Sequence, residues 1–268
     1  VWFKRDLRTT DHKPLFEASK NLIPILPIYV IENEYWEQPF SNRRHWHFIH
    51  DSLIELRKDL KNLGQSLIIR TGSVTDNFNE LLTQFDIISI YAHEETGNRW
   101  TYDRDLNVKN WCNEKNVSLI EYPTNGIVRN LKNRDDWSKV RDLRMKENLI
   151  PKPLSLMPVE GIKGGSIPKK DSPIFKNDFI GKVQKGGRGE ALRIIKSFIN
   201  DRGKNYLFNI SKPGISENTC SRISPHLTWG TISSKEIIKI LNLNKNNNQK
   251  NERKIRNKNL NAIKSRLS

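Results

Sequence analysis

Trp46-His47-Phe48-Ile49-His50-Asp51-Ser52-Leu53-Ile54-Glu55-Leu56-Arg57-Lys58-Asp59-Leu60-Lys61-Asn62-Leu63-Gly64 reads as one amphipathic helix. Trp46, Ile49, Leu53, Leu56, Leu60 and Leu63 recur at three and four residues, and Gly64 stops the pattern. That stripe needs an apolar surface to pack on. Its neighbours supply one: short apolar runs at Ile23 to Ile31 and Leu67 to Arg70 flank the helix, and Val1 to Phe3, Ile87 to Tyr91 and Val117 to Tyr122 have the same character. Strand, helix and strand in repetition mean parallel strands joined by right-handed crossovers. The expected fold is therefore α/β, a doubly wound five-stranded parallel sheet. A further helix is expected over Asn98 to Lys115, with Tyr102, Leu106 and Trp111 on its buried side.

Beyond residue 130 the strand pattern fades. A charged helix is expected over Asp135 to Glu147, and the stretch after it is rich in Pro, Gly and Lys, so residues 131–185 read as an interdomain connection. From residue 186 the signals are helical, with Leu192, Ile195, Phe198 and Ile199 on one face of a helix over Glu190 to Asn200. The expected domains are thus 1–130, α/β, and 186–268, helical. Asn246-Asn247-Asn248 reads as a polar, mobile insertion. The strand pattern is already under way at Val1, so the start of that strand is expected to be missing.

The formal charge is +16, from 46 basic and 30 acidic residues among 268, and residues 235–268 alone carry ten Lys or Arg against two acids. Such a surface attracts a polyanion, with nucleic acid the leading candidate. Cys112 and Cys220 cannot build a disulfide framework, which fits a reducing, cytoplasmic setting. No apolar run approaches the ~20 residues that span a bilayer, so a membrane is not expected as a partner, and a monomer is. There is no Gly-x-Ser-x-Gly elbow, no Gly-Lys-Ser/Thr loop, and no glycine fingerprint after the first strand, which removes support for hydrolase, NTPase and nicotinamide dehydrogenase readings. His45, His47 and His50 lack companion ligands at metal spacing, and no metal site is expected.

Cys220-Ser221-Arg222-Ile223-Ser224-Pro225-His226-Leu227 gathers hydroxyls, a guanidinium and a Ser-Pro helix start. Ser224 as N-cap and Pro225 as first helical residue leave N–H groups that an anion can accept, and an ordinary capped helix is the alternative. Tyr206 sits beside Leu207 and Phe208, a setting that suits core. Arg5, Asp6, Arg8, Glu94 and Glu95 fall at strand ends, where α/β folds place ligands, although Glu94 and Glu95 also suit a charged turn before a helix.

Three separated stretches carry a family resemblance. Val1-Trp2-Phe3-Lys4-Arg5-Asp6-Leu7-Arg8 followed by Asp11-His12, then Gly186-Gly187-Arg188-Gly189-Glu190-Ala191, then Cys220 to Ser224 resemble, in order and spacing, the photolyase/cryptochrome family. The resemblance implies a Rossmann-like first domain followed by a truncated all-helical FAD-binding domain. It maps the family's Thr-Ser-Arg-Leu-Ser diphosphate segment onto Cys220, Ser221, Arg222, Ile223 and Ser224, with Tyr206 upstream. Cys220 departs from the pattern, a thiol being the weaker donor. The resemblance further implies FAD, a second antenna chromophore of folate or deazaflavin type, and light-driven repair of pyrimidine dimers in DNA by a deoxyribodipyrimidine photo-lyase, a carbon–carbon lyase. A cryptochrome-type blue-light receptor without repair is the alternative. The catalytic residues are expected beyond Ser268.

Overall fold

The computed structural model describes residues 1–124, 126–129, 131, 133–176, 181–244 and 250–267, the side chains of 250–256 and 267 excepted. The Asn246-Asn247-Asn248 stretch lies outside the described residues. The chain forms two compact units, Val1–Thr124 with Ile150–Gly187, and Asn125–Leu149 with Arg188–Ser268.

The first unit is built on five parallel strands, β1 (Trp2–Phe3), β2 (Ile28–Ile31), β3 (Ile68–Thr71), β4 (Ser89–His93) and β5 (Ser118–Tyr122), in the order β3-β2-β1-β4-β5. Trp2 pairs with both Ile28 and Ala92, so the sheet reverses direction of growth beside β1. Helices α1 (Lys13–Ser19), α2 (Asn33–Glu37), α3 (Arg43–Lys61), α4 (Val74–Leu82) and α5 (Arg99–Lys115) fill the connections. The expected α3 stripe is fully buried, and Asn42, whose side chain accepts from the Arg44 N–H, starts the helix. Strand β2 is shorter than its apolar run, because Pro24 and Pro27 offer no N–H to a ladder. Helix α5 is rotated from expectation: Trp111 is buried, but Tyr102 and Leu106 are exposed while Thr101, Asp105 and Val108 face inward. The reason is polar, since Asp105 is drawn in by the buried Lys4 ammonium at 2.9 Å.

Residues 131–185, expected as an interdomain connection, divide between the units. Leu156 and Phe175 are buried in the first unit, Phe175 stacking on Trp46 at 4.2 Å and meeting Trp36 edge-on. Such ring pairs add ~0.5–1.5 kcal/mol beyond their buried area. The same segment runs along β3, the sheet edge, where Ile69 N–H donates to Gly164 O. The contact is tight enough to exclude a side chain, a Cβ on Gly165 lying 2.1 Å from Ile69 O. An edge covered in this way is closed to pairing with another chain.

The second unit is helical: α6 (Trp137–Lys146), α7 (Arg188–Asn200), α8 (Tyr206–Asn209), α9 (Pro213–Thr219), α10 (Ser224–Thr228), α11 (Ser234–Leu243) and α12 (Lys250–Leu267). Its core joins Ile194, Ile195, Phe198 and Ile199 of α7 to Tyr206, Ile223, Ile232, Ile237 and Leu241, with Leu260 and Ile263 from α12. Arg188 reaches across to pair with both oxygens of Glu236, a bidentate ion pair that fixes the start of α7 against α11.

Candidate functional site

Strand ends of the first unit concentrate buried charge. Arg104 of α5 forms ion pairs with Glu32 after β2 at 2.5 Å, with Glu95 after β4, and with its neighbour Asp105 at 2.9 Å, while its guanidinium lies 4.9 Å from the Trp2 ring centre. Burial pushes the Glu32 carboxyl up to about 7, with the Arg104 cation opposing. Arg5 joins the same network through Glu95 at 3.2 Å and the Tyr35 hydroxyl at 3.1 Å.

A second buried cluster lies alongside. Asp6 Oδ2 is 2.9 Å from His12 Nε2 and 2.7 Å from His93 Nδ1, and Asp6 Oδ1 accepts the Lys4 N–H at 2.7 Å. His12 Nδ1 accepts from Leu15 N–H as the cap of α1, so its proton sits on Nε2 and is donated to Asp6. Burial lowers both imidazoles, His93 to about 3, and the two hydrogen bonds hold the Asp6 carboxyl well below its usual range despite burial. Among the described residues this is a grouping with metal-ligating atoms close together. Its ligand atoms are joined by hydrogen bonds, which makes it a neutral-imidazole anchor for the first loop.

Of the strand-end residues named from sequence, Arg5 and Glu95 meet each other, Asp6 serves the histidines, and Arg8 donates to Asp11 O at 3.0 and 3.2 Å. An antenna chromophore could engage these side chains only by breaking internal pairs. His93, Glu32 and Arg104 were not signalled by sequence: Glu32 and Arg104 are 72 positions apart, and Asp6 and His93 are 87. A cavity of about 730 Å³, lined by Trp2, Leu26, Phe78 and Met157 among others, opens where the strands begin, opposite the end where this architecture takes ligands.

In the second unit the candidate phosphate loop joins α9 to α10. Cys220 ends α9, Ser221 is half-buried, Arg222 and Ser224 are exposed, and Ile223 inserts its side chain into the core, an anchor contributing roughly 1.5–3 kcal/mol. Ser224 is not the N-cap. Ile223 takes that place with a helical backbone (φ −86°, ψ −14°), so Ser224 is the first residue of a five-residue helix without a side-chain cap. The dipole of so short a helix adds little. What the loop offers instead is local: Arg222 has φ of 60°, in the left-handed region, and is followed by right-handed Ile223. That alternation turns successive N–H groups to one side, the backbone nest that receives anions. Holding a non-glycine residue there costs about 1–2 kcal/mol.

Arg202, in the 3₁₀ turn Arg202–Asn205, is what sequence reading missed. Its Nη1 donates to Cys220 O at 2.5 Å, Nη2 to Ser221 O at 3.3 Å and Ile194 O at 2.9 Å, and Nε to the Ser197 hydroxyl at 3.1 Å. Tyr206 is core in this chain: it is buried and packs edge-on against Phe198 at 5.4 Å. Burial raises the Tyr206 phenol. His226 of α10 is buried against Thr231 and is lowered to about 4 by burial.

A parallel sheet whose order reverses at its centre, followed by a helical unit, defines a doubly wound α/β architecture with a helical second part. The family model described as DNA photolyase matches residues 1–136, half of the chain, and the chain belongs to that family. Relatives of both functional kinds match. The blue-light photoreceptor PHR2 of Arabidopsis thaliana is 26% identical over 272 residues, covering 88% of this chain and 59% of that protein. The deoxyribodipyrimidine photo-lyase of Buchnera aphidicola subsp. Acyrthosiphon pisum is 24% identical over 272 residues, covering 92% and 53%. Among solved structures, a cryptochrome from Synechocystis sp. PCC6803 superposes with a TM-score of 0.75 at 20% identity over 100% of this chain and 60% of that one. The chain thus spans a little over half the length of these proteins. Members of the family typically bind FAD. No helix among the described residues is long and apolar enough to cross a membrane.

Proposed function

We propose that this chain carries the diphosphate-gripping part of a flavoprotein that repairs pyrimidine dimers in DNA under light, a deoxyribodipyrimidine photo-lyase. The observation that carries the reading is the nest at Arg222–Ile223, whose carbonyl side is held by Arg202 and whose basic residues suit a diphosphate. Ser221, Arg222 and Ser224 would hold FAD by hydroxyl, guanidinium and N–H donors, with the Cys220 thiol at one end of the loop, the Cys220 N–H being already donated to Ser216 O at 2.8 Å. Ile223 anchors the loop from below, and Tyr206 is buried in the same core. When bound, FAD supplies light-driven electron transfer to the dimer, so the chain's own task is to bind, orient and exclude water.

Charge supports DNA as partner. With a formal +16, the protein should hold the phosphates flanking a lesion, where unstacking is cheapest. Binding to irradiated duplex is expected to fall at least about tenfold between 50 and 200 mM salt. A flat salt profile in a filter-binding titration would remove DNA from the proposal.

Flavin retention tests the loop directly. Ser221→Ala with Arg222→Ala removes a hydroxyl and a charge-assisted donor, each contributing ~1–3 kcal/mol, and is expected to lower retained flavin absorbance roughly tenfold or more. Equal absorbance in the double variant would refute the assignment. A photoreceptor without repair is the second reading, favoured by the match to the blue-light photoreceptor PHR2. Loss of dimers from irradiated DNA in light but not in darkness separates the two.

A further inference from the structure

We propose that Arg202 is a positioning residue for the diphosphate loop, acting through the backbone and not by touching the ligand; the inference rests on the reading of Cys220 to Ser224 as that loop. In a trans peptide the carbonyl and the following N–H point in opposite directions. By drawing the Cys220 and Ser221 carbonyls onto one guanidinium, Arg202 turns the Ser221 and Arg222 N–H groups the other way, toward the side that the left-handed Arg222 and right-handed Ile223 also select.

The guanidinium is tied at its far edge to α7 through Ile194 O and the Ser197 hydroxyl, so the loop is referenced to the most regular helix of the unit. A planar fork with donors on three edges can span these four acceptors, whereas a lysine ammonium at the same place can reach only some of them. The four acceptors are neutral, so the hydrogen bonds leave the cation's charge uncancelled. Arg193 and Arg222 add their fields: burial first, and these two cations next, lower the Arg202 guanidinium from its usual value. Gly203, directly after it, fits where a Cβ would lie 2.6 Å from Phe198 O, so the turn that aims Arg202 is itself fixed by close packing.

The test compares the wild-type chain with Arg202→Lys and Arg202→Gln, reading retained FAD, amide hydrogen exchange at Cys220 and Leu227, whose N–H groups donate to Ser216 O and Ile223 O at either end of the loop, and thermal midpoint. For Arg202→Lys the expected result is a midpoint within a few degrees of wild type, roughly tenfold faster exchange at those amides, and roughly tenfold less retained FAD. Added guanidinium ion at millimolar concentration should restore part of the flavin in Arg202→Gln, a rescue that a general loss of packing would not show. Unchanged exchange, or faster exchange with undiminished flavin, overturns the positioning role. A wild-type chain that takes up no FAD while the exchange difference persists instead sinks the functional reading on which the role depends.

Discussion

Arg104→Met should unfold the first unit more readily than any other single change described above, by ~3–5 kcal/mol, because it leaves Glu32 buried without its cation and leaves Glu95 and Asp105 with only Arg5 and Lys4. The methionine approximates the volume, so the loss is electrostatic and not a cavity. Part of it should be recovered in the double variant Arg104→Met with Glu32→Gln, since one buried charge is then removed together with its partner. Urea midpoints read by tryptophan fluorescence measure both, with Trp2 directly beneath the network. A single variant as stable as wild type would mean that the three carboxylates are solvated without their guanidinium, contrary to their burial.

Acid should destabilise the same unit before any carboxylate with an ordinary pKa titrates. His12 and His93 have folded values below the unfolded 6.5, so the unfolded chain binds protons that the native one refuses; their stabilisation is present above 6.5 and is lost as pH falls toward the folded values, about 3 for His93. Glu32 acts with the opposite sign. Its folded value of about 7 lies above the unfolded one, so its contribution is complete below about 4.5 and disappears as pH rises through 7. Between pH 6.5 and 4.5 His93 and Glu32 act in opposite directions by about one proton each, and the lowered His12 tips the balance toward a net loss on acidification. Asp6, held well below its usual value, adds a further loss only at lower pH. Glu32→Gln should steepen the dependence and His93→Asn, which keeps an N–H for Asp6, should flatten it. Urea midpoints at pH 7, 6 and 5 decide, and a rise in stability on acidification would reverse the assignment of neutral histidines.

Periodicity carried most of the architecture. All five strands and the α3 stripe were readable because each depends on neighbours a few residues away. Two kinds of feature escaped. Leu156 and Phe175 are isolated apolar residues in a polar stretch, so no period marks them as the anchors that bind residues 150–187 to the first unit. The inward turn of α5 was likewise hidden, since its cause is an ion pair between residues 101 positions apart. At the candidate site the loop itself was legible from its residue types. Its mechanics were not: Ser224 has the chemistry of a cap, but Ile223, drawn into the core, starts the helix one residue early, and Arg202 lies 18 residues before the carbonyl it grips.

The alternation of the units along the chain has a consequence for biosynthesis. The sheet is complete in sequence by Tyr122, yet Phe175 and the strip beside β3 belong to it and are translated only after residues 125–149, which are assigned elsewhere. While the polypeptide is still emerging from the ribosome, the nascent sheet therefore waits with Trp46 and the β3 edge bare until about residue 187 has cleared the exit tunnel. Chaperone engagement is expected in that interval.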